Sequence, residues 1–490
     1  MKQTLLMERV LDETRLAVIE DGALCELYCR RPDSENLSGN IYVGRVENVL
    51  PGMNAAFVDI GMEKNGFLAA GDIRLDVRGE KGLSEALGKP RIEALARPGQ
   101  QILVQVIKSQ PGAKGPRLSS HITLTGRLLV LLPGIVYTGV SRKIDDPGER
   151  ERLYALGRAM AREENAGVIL RTAAQGMPDD AIREEYARLL ALYGDLLRRA
   201  EHAIAPKLLH DDNDLSLRVA RDMLSENVDA VWADGRECYE ALSGLARSLA
   251  PDYADRIMLH DGATPLFDLY RVDSQAEKAL QKFVWLGSGG SLVIEETEAL
   301  TVIDVNTAKN VGRGSVDDTI FNANCEAARE LMRQLRLRDI GGIIVVDFID
   351  MKTQAQKQAL LEVLRECAAQ DRNHTEVVDI TPLGLVELTR RKARQSLSRQ
   401  LLHTCSHCDG NGRVSSHETT ARRAVRALAR RRRGGDESPL CIEAAPPVCG
   451  WLKKLGVNRF GSVKIRPVEG MEAGEYRLAP IDGKDIEMGK

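Results

Sequence analysis

Three observations predict a multidomain α+β protein. The chain has 490 residues, too many for one compact core and enough for three or more domains. Up to about residue 125, apolar and polar groups alternate between turn signals such as Pro51-Gly52, Gly71-Asp72 and Pro111-Gly112, the pattern of short antiparallel strands. From about 280 to 400 the pattern becomes strand, long helix, strand, as a crossover connection requires. With 43% hydrophobic and 28% charged residues the composition is that of a folded globular chain, which excludes fibrous and disordered classes. No apolar run approaches the ~20 residues of a membrane span. The amino terminus carries no secretory pattern, and nine scattered cysteines do not suggest a disulfide framework. A reducing cytoplasm is therefore expected.

Residues 1–35 read as short antiparallel strands. The segment from Gly39 to Gly61 could supply the first strands of a small OB-type barrel. Phe57 and Asp59 alternate with Ala56, Val58 and Ile60, so an aromatic falls on the polar side of its strand. A base could stack there, with Phe67 as a second platform and Lys108 and Lys114 near for phosphates. The plain alternative is two core phenylalanines. Residues 126–214 mix strands with helical repeats, and there Arg171 and Thr172 follow the apolar run Val168-Ile-Leu. A guanidinium, a hydroxyl and backbone amides could hold a terminal phosphate at that point. Equally, Thr172 could cap a helix and Arg171 form a surface ion pair.

The most informative pattern lies in the strand-helix-strand region. Ala299-Leu-Thr-Val-Ile-Asp304-Val-Asn306 and Gly341-Gly-Ile-Ile-Val-Val-Asp347 are apolar runs closed by a carboxylate. They read as buried strands whose aspartates emerge at the carboxyl edge of a sheet, where open α/β sheets place ligands. An amphipathic helix from Asp317, about six turns long, separates them. Two carboxylates and an amide are hard oxygen ligands suited to Mg²⁺. The alternative is that each aspartate caps a following helix.

Beyond Thr389 the charge balance shifts. Residues 389–433 contain thirteen Arg or Lys against Asp409 and Glu418 alone, which suggests a polyanionic partner or a solvated helix face. Cys405-Ser-His-Cys408 followed by Asp409-Gly-Asn-Gly412 has the spacing of a metal knuckle. Structural Zn²⁺ takes four ligands, and no second CxxC is present. Two chains each donating Cys405 and Cys408 to one shared ion is the economical solution; a redox pair or two idle thiols are the alternatives.

Together these segments resemble the ribonuclease E/G family. The resemblance is carried by Gly39-Asn-Ile-Tyr-Val-Gly-Arg-Val, Ala56-Phe-Val-Asp-Ile-Gly, Arg171-Thr-Ala, Pro265-Leu-Phe-Asp-Leu, Ser288-Gly-Gly, Thr297-Glu-Ala-Leu and Asp304-Val-Asn. It continues through the long run Arg333 to Met351, Leu383-Gly-Leu-Val-Glu-Leu-Thr-Arg and the cysteine knuckle. The chain ends without a long Arg/Pro-rich tail, so the shorter members are the expected match. The resemblance implies an RNase H-like subdomain in two parts (1–35 and 215–280), an S1-like OB domain (36–125) and a 5′-sensor domain (126–214). It further implies a DNase I-like catalytic domain (281–400), a zinc link (401–415) and a small C-terminal domain (416–490). Asp304, Asn306 and Asp347 match the catalytic Mg²⁺ site, and Phe57, Phe67 and Lys114 the RNA grip. Arg171, Thr172 and the backbone near Val130 match a 5′-monophosphate sensor; Lys143 stands where an arginine is common. Cys405 and Cys408 match a zinc joint between protomers of a dimer or tetramer.

The activity implied is Mg²⁺-dependent internal cleavage of single-stranded, AU-rich RNA bearing a 5′-monophosphate. The products would be a 3′-hydroxyl and a 5′-phosphate, in ribosomal RNA 5′-end maturation and messenger decay. Two rivals are a non-catalytic RNA-binding or ribosome-associated protein on the same scaffold and a Mg²⁺-dependent DNA nuclease.

Overall fold

The computed structural model describes residues 2–31, 37–74, 91–109, 115–306, 316–481 and 487–489. The chain divides into two compact units, residues 1–398 and 399–490.

In the first unit, strands Gln3–Val10, Glu13–Glu20 and Ala23–Arg30 form an antiparallel meander. Val228–Asp234 joins the first of them in parallel, and Ile257–His260 extends the sheet, also in parallel. The sheet is thus built from two stretches distant in sequence, and everything between them is carried as an insertion. The first part of that insertion is a barrel. Ile41–Leu50 pairs with Ala55–Asp59 on one side and Gln101–Lys108 on the other. Gly66–Ala69 and Arg117–Ser119 close the circuit. Five strands closed in this way leave no free edge. Val46, Val58, Leu68, Val104, Val106 and Leu118 fill the interior, and a Cβ at Gly66 would collide with the Leu118 side chain. The small barrel expected from this segment is what forms.

A four-stranded sheet follows, in the order Thr138–Val140, Ala166–Leu170, Leu129–Pro133, Leu124–Thr125. Helices Pro147–Glu163 and Asp179–His202 contribute Leu153, Met160, Ile182 and Tyr186 to its core.

The last sheet of this unit has six strands in the order Phe283–Trp285, Ser291–Glu296, Leu300–Asn306, Gly342–Asp347, Val386–Arg390, Thr375–Ile380. Leu300–Asn306 and Gly342–Asp347 run parallel, joined through helix Val316–Leu337. That helix and Gln354–Ala369 share one core with Ile303, Val305, Ile344 and Val346. The next residues along each strand, Val302, Asp304, Asn306, Ile343 and Asp347, are exposed. This differs from the expectation of fully buried strands. The apolar runs are β-branched along their whole length, but helices cover only one face, so alternate positions meet solvent.

Arg336, in the last turn of Val316–Leu337, is buried against the meander, 2.6 Å from Glu20 and 2.9 Å from Glu26. Burial alone would push both carboxyls up. The Arg336 guanidinium, with the field of Arg372 added at Glu26, holds both below the usual carboxylate value.

The second unit is a four-stranded sheet, Val463–Pro467, Leu440–Ala444, Tyr476–Pro480, Glu487–Gly489. It shares a core with helices His417–Arg433 and Pro446–Lys454 through Leu428, Leu440, Ile442, Val448 and Leu452. Ser416 caps the first helix by accepting from the Thr419 amide. The basic run is partly inward-looking. Arg431 bonds Asp436 at 2.9 Å, and Arg432 donates to the carbonyls of Phe460, Asp436 and Ser438. In the first unit, Arg390 and Arg394 are spent on Asp339 and Asp371. Sequence density therefore overstates the positive charge free for a partner.

Candidate active site and RNA-contact surfaces

Asp304 and Asp347 are direct register partners on neighbouring parallel strands, and partners point to the same face of a sheet. Both are exposed, as is Asn306 two residues on. The Asn306 Nδ2 donates to Asp304 Oδ2 at 2.8 Å, fixing that carboxylate. Neither aspartate caps a helix. Asp304 lies within its strand, and Gln354–Ala369 is capped by Thr353, whose side chain accepts from the Gln356 amide. Among the described residues neither carboxylate forms an ion pair. Two such groups side by side on an open face repel one another and attract a cation. Their chemistry fits Mg²⁺, which takes one or two protein carboxylates and completes its shell with water and phosphate oxygens. No group of three or more His, Cys, Asp or Glu is gathered for a metal among the described residues.

Phe57 and Phe67 are also register partners, on adjacent barrel strands. Their rings meet edge to face, centroids 5.9 Å apart at 72°. Both are half-buried on the outer side of strands whose alternate residues, Ala56, Val58 and Leu68, fill the barrel. The pair thus lies on the outer surface of the barrel rather than in its core, where a base could stack on it. Lys114 lies outside the described residues.

Arg171 and Thr172 open onto a cavity of about 590 Å³ lined by Arg127, Ser141, Arg142, Lys143, Arg221 and Asp222 among others. Thr172 Oγ1 shares a hydrogen bond with Ser141 Oγ at 2.9 Å and caps no helix. Arg171 donates to the Gly126 carbonyl and pairs with Asp222 at 2.7 Å. Arg221 is buried; burial would lower its pKa, but Asp212 and Asp222 outweigh burial and raise it. Five basic side chains and one carboxylate thus line the cavity, a surplus of positive charge suited to an anion. Val130 lies on the paired strand beside Ile169, outside the cavity lining. Sequence reasoning missed Arg221 and Asp222. The signal was faint: an Arg-Asp pair inside the apolar run Val219-Ala-Arg-Asp-Met.

In the second unit, the His407 and Cys408 amides donate to the exposed Cys405 sulfur and hold its thiol below the ordinary value. The Gly412 amide lies 3.3 Å from Cys408 Sγ. Asp409, Gly410 and Gly412 take positive φ to wrap the chain round both sulfurs. His407 is turned to Glu472, 3.3 Å away. The knuckle thus holds two cysteine sulfurs in one tight turn.

Comparison with known proteins agrees with this geometry. The model of the ribonuclease E/G family matches residues 123–393. The chain is 38% identical to ribonuclease G of Salmonella typhimurium (strain SL1344) over 95% of each protein. The figures are the same for ribonuclease G of Escherichia coli (strain K12). The chain belongs to the ribonuclease E/G family. With that membership it is an endoribonuclease acting in RNA processing. Ribonuclease E of Escherichia coli (strain K12) is 36% identical over 98% of this chain but only 46% of its own length. The family match contains the acid pair and the Arg171 cavity and leaves out the barrel and the knuckle. No helix among the described residues is long and apolar enough to cross a membrane.

Proposed function

We propose that this endoribonuclease cuts single-stranded RNA at the Asp304–Asp347 edge of the six-stranded sheet, leaving a 3′-hydroxyl and a 5′-phosphate. The observation that carries this reading is the in-register pairing of two exposed carboxylates, with Asn306 fixing one of them. The two aspartates would hold Mg²⁺, which when bound supplies positive charge against the phosphate and a more acidic water. Asp304 and Asp347 present their oxygens on one open face, so a strand can lie across them without a cleft having to open. Asn306 holds Asp304 Oδ2 by its amide, which leaves Oδ1 without a hydrogen bond among the described residues. In the reaction, a water oxygen bonds to phosphorus, the bond from phosphorus to the 3′ oxygen breaks, and that oxygen leaves with a proton.

Phe57 and Phe67 grip unpaired bases by stacking, which reads no strict sequence and suits AU-rich RNA that folds weakly on itself. The cavity at Arg171, Thr172 and Ser141 takes a 5′-monophosphate, so that end of the RNA favours binding. Ribosomal RNA 5′-end maturation and messenger decay are the settings the family resemblance suggests, in the cytoplasm. Cys405 and Cys408 complete a Zn²⁺ site with the same pair from a second protomer, which makes the protein a homodimer or a tetramer of such pairs.

The test is cleavage of one AU-rich RNA carrying either a 5′-monophosphate or a 5′-hydroxyl, with Mg²⁺ or with EDTA. Internal cuts that need Mg²⁺ and come faster with the monophosphate are expected. Equal rates on the two ends would remove the sensor, and cutting in EDTA would remove the metal. A folded protein that binds the RNA intact under every condition would be an RNA-binding scaffold.

A further inference from the structure

We propose that Phe283 and Trp285 form a second base-stacking platform, on the open face of the catalytic sheet, for a nucleotide next to the phosphate being cut. The proposal rests on the reading of Asp304 and Asp347 as the cleavage centre.

Register carries the argument. Phe283 pairs with Val293, Val293 with Asp304, and Asp304 with Asp347. One row of the sheet therefore runs from an aromatic ring to both carboxylates. The next row runs from Trp285 through Ser291 to Asn306. Two strand spacings separate each ring from its acid or amide, about 10 Å in all, within reach of a base one step from the reacting phosphate. Val284, between the two aromatics, packs into the core, so both rings stand on the face that carries Asp304 and Asn306.

Their exposure is the second observation. Trp285 is 76% and Phe283 54% exposed, and Trp285 is the most exposed aromatic among the described residues. Only 4% of the chain is aromatic, so two adjacent outward rings beside the acid pair are a concentration. One exposed hydrophobe means little, but a contiguous apolar patch marks a contact surface.

The occupant is argued from charge and continuity. One step toward the other end of the same face, Val302 and Val345 are flanked by Glu295 and Glu387. Lys282 answers the Glu295 carboxylate, but Glu387 forms no ion pair among the described residues, and its charge repels phosphates and keeps an RNA backbone at the rows of Asp304 and Asn306. In those rows the acids take a phosphate through a cation, and the rings offer the only large π surfaces. Tryptophan and phenylalanine stack on any base, so the platform adds affinity and positions the cut without demanding one sequence.

The experiment uses the full chain. Trp285→Ala should raise KM for a single-stranded RNA roughly 10-fold with kcat little changed, and redistribute cuts along the RNA. Trp285→Phe should recover most of the loss. In a chain silenced by Asp347→Asn, RNA should quench tryptophan fluorescence, and adding Trp285→Phe should remove most of that quench despite Trp232 and Trp451 remaining. Unchanged KM, cut sites and quench, with Asp347→Asn still abolishing cleavage, would overturn the platform and leave the cleavage centre standing. Full activity in Asp347→Asn would overturn the cleavage centre itself. A Trp285→Ala protein that binds RNA normally but changes its mass by light scattering would make this face a contact between copies of the chain, which also overturns the proposal. Melting temperature controls for folding.

Discussion

The chain uses carboxylates in two opposite ways, and the contrast separates architecture from chemistry. Glu20 and Glu26 are buried, and one arginine, Arg336, answers both at 2.6 and 2.9 Å. Asp339 and Asp371 are equally enclosed by Arg390 and Arg394. Asp304 and Asp347 sit side by side on an open face, with an amide as their only hydrogen-bond partner among the described residues. The buried acids find their cation within the fold, and the exposed pair finds none among the described residues. Removing one partner of a buried ionic cluster leaves an uncompensated charge, whereas on the proposed function an exposed pair of like charges is open to a cation.

The sharpest way to break this contrast is to neutralise one member of each class. Asp347→Asn should lower cleavage by about 10³-fold or more, the several kcal/mol a metal contributes, while thermal stability holds or rises slightly. A drop in melting temperature as large as the loss of activity would make the pair structural. Arg336→Met should do the reverse, leaving two buried acids without their cation at a cost of about 3–5 kcal/mol. Urea unfolding would measure it, and a loss below about 1 kcal/mol would mean the cluster is more hydrated than its geometry implies.

The same cluster predicts a pH dependence with a definite sign. Glu20 and Glu26 have depressed carboxyl pKa values in the folded protein. Their stabilisation is present above the ordinary carboxylate value of 4.5 and is lost as pH falls below it toward the folded values. Wild-type stability should therefore fall steeply below that pH, and Arg336→Met should flatten the fall. Equal slopes in both proteins would assign acid sensitivity to other groups.

How much of this was legible in the sequence depended on how local the signal was. Asp304, Asn306 and Asp347 ended apolar runs, and strand register brought them together as the spacing suggested. Phe57 was legible because one alternation places it opposite the barrel core, and Phe67 then falls in register beside it. What could not be read was which sheet face the helices would leave bare. Phe283-Val-Trp285 is too short to show amphipathicity, so the outward aromatics became visible only in register with Asp304. Asp222 was illegible for another reason: its partner Arg171 lies in a different part of the chain, and nothing local marks the meeting. The arginines of residues 389–433 misled in the opposite direction, since composition cannot tell a solvated guanidinium from Arg390 beneath Asp339.

The barrel tests whether the contact surfaces can be separated from the acid pair. Phe57→Ala should weaken RNA binding by about 1–3 kcal/mol and leave kcat at saturating RNA nearly unchanged. A loss confined to kcat would place Phe57 near the chemistry instead of along the strand, and filter binding with a 5′-hydroxyl RNA would show which.

The smallest expected effect concerns the one acid that fits neither class. Asp222 is exposed and paired with Arg171 at 2.7 Å, and it faces a cavity ringed by cations. On the proposed function it occupies Arg171 as a phosphate would, and a 5′-monophosphate would compete with it. A pair this exposed is worth about 0.2–1 kcal/mol, so Asp222→Asn should raise the preference for monophosphate over hydroxyl ends by no more than about fivefold. Arg171→Ala should bring that preference close to unity. If Asp222→Asn instead lowers the preference as far as Arg171→Ala does, Asp222 positions the guanidinium and does not compete for it, and the acid belongs with Glu20 and Glu26. If it raises the preference, the pocket's selectivity is set by a residue that opposes the ligand, a trade a single carboxylate can tune without touching the cleavage centre.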